Sequence, residues 1–415
     1  MRDDLDSVLK AAYPQVVATL TRVLGDMDRA MDVTQDAVIK ALQVWPKEGL
    51  PRSPVAWLVA VGRNRGIDQL RRDKKSVGID NVIAFPEGIS DEGVAADLDD
   101  LVLSELEDDM LRLMFTCCHP ALSPLVQITL VMKVVLGFSV EEISKNLLAS
   151  KAGVEKRLAR ARKTLADAQA DYTVPRGAEL PARLQGVLQA IYLMFNQGYS
   201  KVMDGQLPRS QLIDEAIRLA RITARLMRKH PDPRALLALM LLNAARIPGR
   251  FDEEGMLIPL AEQNRQQWDR TMTREGLALI DAIFVARHPP SAYQIQAAVS
   301  ALHNRAEHSS TTDWSQIVGL YEKLKDYDRS PVVPVNQAVA LCLRGDAEAA
   351  AQVLATVADS AQLQDYQPYY VAAAYVAETL GDSAKAKQAY AIAIDLSQST
   401  AQRAYLEKKS QQLSS

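Results

Sequence analysis

The chain has 415 residues, a formal net charge of -3, 48% hydrophobic and 24% charged side chains, a balance that excludes wholesale disorder and fits ordinary globular protein. At about 100–200 residues per domain it is long enough for two to four domains. No apolar run reaches the roughly 18 residues of a membrane span, the start MRDDLDSVLK reads as lacking the apolar core of a secretory signal, and only three cysteines occur, Cys117, Cys118 and Cys342, which fits a reducing cytoplasm.

Net charge hides a segregation. Residues 63–75 carry six basic and two acidic side chains, residues 76–111 carry eleven acidic and no basic ones, and residues 151–163 carry six basic and one acidic. Along the chain apolar residues recur at three- and four-residue spacing, so the expected fold class is all-α. A first helical domain spans 1–75, broken at 45–54, where WPKEGLPRSP holds three prolines and a glycine. The acidic stretch 76–104 reads as a linker, because like charges repel and extend it. A second helical domain spans 105–170, with a break at Cys118-His119-Pro120. Residues 171–181 form a proline-containing connector. The last domain, 182–415, is alanine-rich and helical. Within it Gly345-Asp346 and Gly381-Asp382 each follow one alanine-rich helix and precede another, 36 residues apart, close to the 34-residue period of tetratricopeptide repeats.

Two segments carry chemistry. In AWLVAVGRNRGIDQLRRDKK (56–75) a helical wheel gathers Ala56, Val59, Ala60, Ile67 and Leu70 into a packing arc. Trp57, Val61, Asn64, Asp68, Arg71 and Arg72 fall opposite, a stripe about 20 Å long at about 1.5 Å per residue. Cations neutralise phosphates and an aromatic stacks on unpaired bases, a combination suited to single-stranded or melting DNA. The second segment, FSVEEISKNLLASKAGVEKRLARARKTL (138–165), has helix-turn-helix form: Ser139 and Glu142 make a capping box, a turn falls at Ala149-Ser150, and Val154, Leu158, Ala161 and Leu165 form the buried side of the second helix. The N-terminal part of such a helix enters the major groove. Lys151, Glu155 and Lys156 are therefore base-edge candidates, while Arg157, Arg160, Arg162 and Lys163 hold phosphates.

Cys117-Cys118-His119 lacks the four-ligand, CxxC-like spacing of a zinc site and reads as a buried helix end, so no metal is assigned. No phosphate-binding glycine loop or local catalytic pattern occurs, so neither a cofactor nor an enzymatic activity is expected.

These segments together resemble sigma factors of bacterial RNA polymerase, of the small extracytoplasmic-function type. DMDRAMDVTQDAVIKAL (26–42) resembles region 2.1–2.2, which implies that Asp32, Gln35 and Asp36 meet the β′ clamp helices of core polymerase. PVAWLVAVGRNRGIDQLRR (54–72) resembles region 2.3–2.4, and EEISKNLL with VEKRLARARKTL resembles region 4, where Val154-Glu155-Lys156-Arg157 replaces the frequent Val-Lys-Ser-Arg. LRLMFTCCHPALSP (111–124), LPARLQGVLQAIYLMFNQGYS (180–200) and further stretches to 341 resemble the sub-group with a tetratricopeptide-like C-terminal extension.

The resemblance implies that region 4 holds the -35 element and meets the β flap. It implies that region 2 recognises and melts the -10 element through Trp45, Arg52, Trp57, Asn64, Arg65, Asp68, Arg71 and Arg72, with the loop 45–54 (Trp45, Glu48, Arg52) as the pocket for a flipped base. The extension then takes a protein or peptide partner, with Tyr192, Phe195, Tyr199, Trp268, Tyr293 and Tyr370 as candidate lining, and either holds the DNA-binding domains back or supports them. The alternative from the residues is a helix-turn-helix regulator that binds duplex operators without polymerase and uses the extension as an adaptor. The resemblance also implies that the eleven carboxylates of residues 76–111 imitate a phosphate backbone in a polymerase channel. Replacing Asp97, Asp99 and Asp100 by Ser is accordingly expected to weaken binding to core polymerase in a titration; unchanged affinity would reduce the linker to a spacer.

Overall fold

A computed structural model describes residues 2–74, 109–147, 149–168, 170, 172–203, 211–252, 256–286, 289–397 and 400–413; the acidic linker lies outside them. Among the described residues the fold is all-α, with one isolated bridge, Phe251 to Leu257, as the sole extended pairing. The chain divides into two units, Met1–Leu193 and Met194–Ser415.

In the first unit α1 (Arg2–Leu24), α2 (Met27–Glu48) and α3 (Pro54–Lys74) form a three-helix bundle. Gly25 at φ 68 ends α1, and Asp26 caps α2 by accepting from the Arg29 amide. Leu9, Val16, Leu20, Val33, Ala37, Ala41, Trp45 and Leu58 make the core. The buried line of α3 is Leu58, Gly62 and Gly66. This corrects the wheel: Ala56, Val59, Ala60, Ile67 and Leu70 are half-buried, one flank of a seam whose centre is the two glycines. A Cβ at Gly62 would stand 2.6 Å from Leu20 Cδ1, and one at Gly66 would stand 2.7 Å from Leu24 Cδ1. Each helical glycine costs about 1 kcal/mol relative to alanine; here it admits α1 to within side-chain contact.

The expected loop 45–54 is shorter than the sequence suggests. α2 runs through Pro46 to Glu48, and the Gly49 amide bonds the Trp45 carbonyl at 2.9 Å. The reason is Trp45 itself, 4% exposed: burying the indole in the bundle holds the last turn helical around the proline.

The second half of this unit comprises α4 (residues 109–117), α5 (Pro124–Leu130) running into a π-helical turn (Val131–Val135), α6 (Val140–Asn146) and α7 (Lys151–Asp167). The break after α4 falls at Cys118-His119-Pro120. Cys117 and Cys118 are buried, which pushes both thiols up, Cys118 to about 12. α8 (Glu179–Met203) begins in the first unit, where Arg183 Nη2 donates to the Phe115 carbonyl at 3.0 Å and Gly186 faces the Cys118 carbonyl. The division between units therefore falls beyond the 171–181 connector, because the start of the extension packs on α4.

The second unit continues through α9 (Gln211–Leu226), α10 (Pro231–Ala244), α11 (Arg270–Val285), α12 (Ala292–Arg305), α13 (Trp314–Leu324), α14 (Val332–Arg344), α15 (Ala347–Ala355), α16 (Gln367–Thr379), α17 (Ser383–Asp395) and α18 (Thr400–Gln412), consecutive helices packing as hairpins. The two Gly-Asp turns are equivalent. Gly345 and Gly381 adopt φ 97 and φ 79, and Asp346 and Asp382 cap the following helices by accepting from the Ala349 and Lys385 amides. Only glycine takes a left-handed φ without a Cβ penalty.

Gly62→Leu is expected to lower stability by about 1–3 kcal/mol, as overpacking does, and Gly345→Ala by about 1 kcal/mol for its positive φ; urea denaturation measures both.

Candidate nucleic-acid interface

The exposed side of α3 carries Asn64, Arg65, Asp68, Arg71 and Arg72. The bundle places them there because the Gly62/Gly66 seam faces α1, leaving the opposite arc to solvent. Arg65 Nε pairs with Asp36 on α2 at 2.7 Å, joining one candidate for DNA contact to one for polymerase contact. Exposed pairs of this kind contribute about 0.2–1 kcal/mol, so a phosphate competes readily for the guanidinium.

Trp57 is half-buried rather than exposed: its ring meets Trp45 edge-on at 5.3 Å, and Lys40 Nζ lies 6.0 Å from its centroid. Trp45 is a correction. The resemblance assigned it to the -10 contact, but it lies in the bundle core and presents no surface to DNA. Arg52 and Glu48 are exposed. The cationic row therefore reaches solvent, while the aromatic pair packs near the start of α3, with Lys40 of α2 beside it.

The helix-turn-helix forms from local signals. The Ser139 amide bonds Glu142 Oε2 at 2.8 Å and the Glu142 amide bonds Ser139 Oγ at 3.2 Å, a closed capping box. Ser150 Oγ caps α7 by accepting from the Gly153 amide at 3.1 Å. Ile143, Val154, Leu158 and Ala161 are buried, with Leu165 half-buried behind them. Lys151, Glu155, Lys156, Arg160, Arg162 and Lys163 are exposed, and Arg157 is half-buried. Lys151 pairs with Glu141 at 3.2 Å, and Arg162 pairs with Asp28 of α2 at 2.8 Å.

On α2, Asp32 and Gln35 are exposed and Asp36 is half-buried. The same face continues, in steps of four and three, from Asp28 through Asp32 and Gln35 to Ile39 and Leu42, which are 55% and 44% exposed. Sequence reasoning missed this apolar end; the signal for it is two large aliphatics on the row of a polar helix face.

In the second unit, Phe195, Trp268 and Tyr293 are core residues, not lining, whereas Tyr192, Tyr199 and Tyr370 are half-buried. Trp268 lies between two guanidinium groups, Arg246 at 5.5 Å and Arg265 at 5.2 Å. Arg246 is buried and donates to the Ser300 carbonyl; Arg265 donates to the His303 and Ala306 carbonyls and to Thr312 Oγ1. His303 is pushed down to about 3 by burial and by these two cations, so its ring is neutral.

Residues 8–76 match the model of sigma-70 region 2, and residues 112–165 match that of sigma-70 region 4. The chain belongs to the sigma-70 family. Its regions and extension are those of the extracytoplasmic-function type. Residues 183–284 of this sigma factor match a family of unknown function (DUF6596). An uncharacterized protein of Rhizobium meliloti (strain 1021) is 38% identical over 410 residues, which cover 97% of this chain and 94% of the relative. Sigma-70 proteins are transcription initiation factors. The likeness thus spans the extension as well as the two regions.

Ser150→Ala is expected to remove the cap of α7 and lower stability by about 1 kcal/mol, read by urea denaturation; an unchanged midpoint would show that the turn is held by the Ser144 Oγ to Ala149 carbonyl bond.

Proposed function

We propose that this sigma factor binds core polymerase through the exposed row of α2, opens the -10 element with α3, and reads the -35 element with α7. The observation that carries the reading is the solvent-facing set Asn64, Arg71 and Arg72 in the same chain as a doubly capped helix-turn-helix. Arg71 and Arg72 bind phosphates of the separating strands, and Asn64 lies beside them. Lys151, Glu155 and Lys156 meet base edges, and Arg160, Arg162 and Lys163 meet phosphates. Asp32 and Gln35, with Ile39 and Leu42, make a β′ contact that is acidic at one end and apolar at the other. Region 4 meets the β flap. The protein catalyses nothing; it lends binding energy to a step in which unstacking costs a few kcal/mol per base. The C-terminal unit regulates this activity through a protein partner. The work is done in the cytoplasm, where bacterial polymerase meets its promoters. Among the described residues no helix is long and apolar enough to cross a membrane.

Run-off transcription with purified core polymerase tests the reading. Adding the protein gives a promoter-specific transcript; a specific shift of duplex DNA without polymerase, and no transcript, would favour a stand-alone regulator. Arg71→Ala with Arg72→Ala is expected to reduce promoter opening across all sequences. Each phosphate left without its cation lowers the log–log salt slope by roughly 0.7–0.9, and a filter-binding salt series on the holoenzyme reads the change.

A further inference from the structure

The second unit holds a largely buried cluster of positive charge that no acid among the described residues matches. Arg246 follows the end of α10, Arg265 opens the tight turn Arg265–Gln267, and His303 lies near the end of α12. The two guanidinium carbons lie over the Trp268 ring, at 5.5 and 5.2 Å from its centroid. Arg246, Trp268 and His303 are only 7%, 5% and 8% exposed. The ionisable neighbours of Arg246 are Tyr199, Tyr321, Arg250 and Arg265, with no carboxylate in the set. Asp269, next to Trp268 in the chain, is committed to α11, whose Thr271 and Met272 amides it accepts.

Backbone carbonyls account for part of this arrangement and leave a remainder. Arg246 Nη2 donates to Ser300, and Arg265 Nη1 donates to His303 and Ala306, all near the C-terminal end of α12. A helix C-terminus supplies roughly half a negative charge, against two full positive ones. Burial pushes Arg246 down to about 10, and burial with the two cations holds His303 neutral. Three buried nitrogens then have no hydrogen-bond partner: Arg246 Nε, Trp268 Nε1 and His303 Nδ1. Buried polar atoms are nearly always paired, so three unmet in one cluster call for a partner that is not backbone. Beside the indole, Gly249 keeps an edge clear. A Cβ there would stand 3.1 Å from both Cδ1 and Nε1 of Trp268, where an oxygen bonded to the indole N–H would sit.

We infer that Arg246, Arg265, Trp268 and His303 form a binding site for the phosphate group of a small molecule. A phosphate ester carries about 1.5–2 negative charges near neutral pH and three acceptor oxygens. The charge matches the two arginines. The oxygens match Arg246 Nε, Trp268 Nε1 and His303 in the tautomer protonated at Nδ1. A carboxylate, with a single charge and two oxygens, would leave a cation and a donor unmet. Arg265 is half-buried, so the cluster reaches the surface at its side chain. A bound phosphate ties the turn after α10, the turn at Arg265 and the end of α12 together, so occupancy stiffens the middle of the extension. Every part of the site lies in the second unit, and it stands whether or not the protein engages polymerase as proposed above.

The full chain has four tryptophans, so with isotope-labelled tryptophan the Trp268 indole signal in a nuclear magnetic resonance spectrum is the one that Trp268→Phe removes. Titration with inorganic phosphate at constant ionic strength should move that signal to saturation. Glycerol phosphate should do the same, and the tighter of the two identifies the source as free ion or phosphate ester. Acetate should bind at least about tenfold more weakly, for want of the second charge. Arg246→Gln removes a charged donor and should weaken phosphate by about tenfold or more. Arg265→Gln removes the other charge and should weaken it in the same direction. Gly249→Ala keeps both charges, crowds the indole edge and should also weaken it. No saturable shift at Trp268, acetate binding as tight as phosphate, or a phosphate affinity that any folded variant leaves unchanged overturns the site. Should Arg246→Gln fail to fold, Arg265→Gln and Gly249→Ala decide.

Discussion

The N-terminal unit depends on α1 serving as a wall for two neighbours. One side admits α3 at the closest approach its side chains allow, because Gly62 and Gly66 present no Cβ to Leu20 and Leu24. Another side receives region 4, with Tyr13 on Gly137, the Ala18 carbonyl beside Tyr172, and Arg22 on Asp109. The first seam is apolar and well packed, and it fixes which arc of α3 is left for DNA. The second is polar and includes a buried carboxylate, so loss of either partner leaves a charge without compensation while joint separation lets water replace both. An apolar seam and a largely polar one thus share a single helix.

The cations assigned to DNA are not idle in the free protein. Arg65 rests on Asp36, Lys151 on Glu141 and Arg162 on Asp28. All six groups retain exposure, so each pair contributes little to folding. A phosphate array offers such cations the additional gain of counterion release. Weak internal partners keep these side chains in place and yield to a stronger polyanion. Two of the acids, Asp28 and Asp36, sit on α2, whose exposed row is the proposed polymerase face, so polymerase and DNA engagement draw on the same set of charges.

The C-terminal unit is built on different physics. Its later turns repeat one solution, a left-handed glycine followed by an aspartate that caps the next helix. Its middle is held by one buried and one half-buried arginine, Arg246 and Arg265, which donate to backbone carbonyls and lie over the Trp268 ring. Cation–π contact with the indole partly replaces the hydration those guanidinium groups give up. Aromatics expected along a binding surface, Phe195, Trp268 and Tyr293, are instead placed in the interior.

The sequence by itself determined what is encoded within three or four residues: the all-α class, the Ser139–Glu142 capping box, the turn into α7, the Gly-Asp hairpins and the exposed row Asn64, Asp68, Arg71 and Arg72. These are legible because capping, left-handed turns and helical periodicity are set by neighbours along the chain. Tertiary structure alone decided the fate of Trp45, buried where a pocket residue was expected, and of Trp57, half-covered by it. It also decided that α3 packs on its glycines rather than on its alanine arc, since a wheel fixes angles between side chains but not which angle faces the core. The contacts of Asp109 and Tyr172 with α1 lay further out of reach: Arg22 and Asp109 are 87 residues apart, and Tyr172 and Ala18 are 154 apart. No local pattern marks a carboxylate that will lose all its water to a distant helix, because burial is a property of the packed surfaces and not of the segment that supplies the charge.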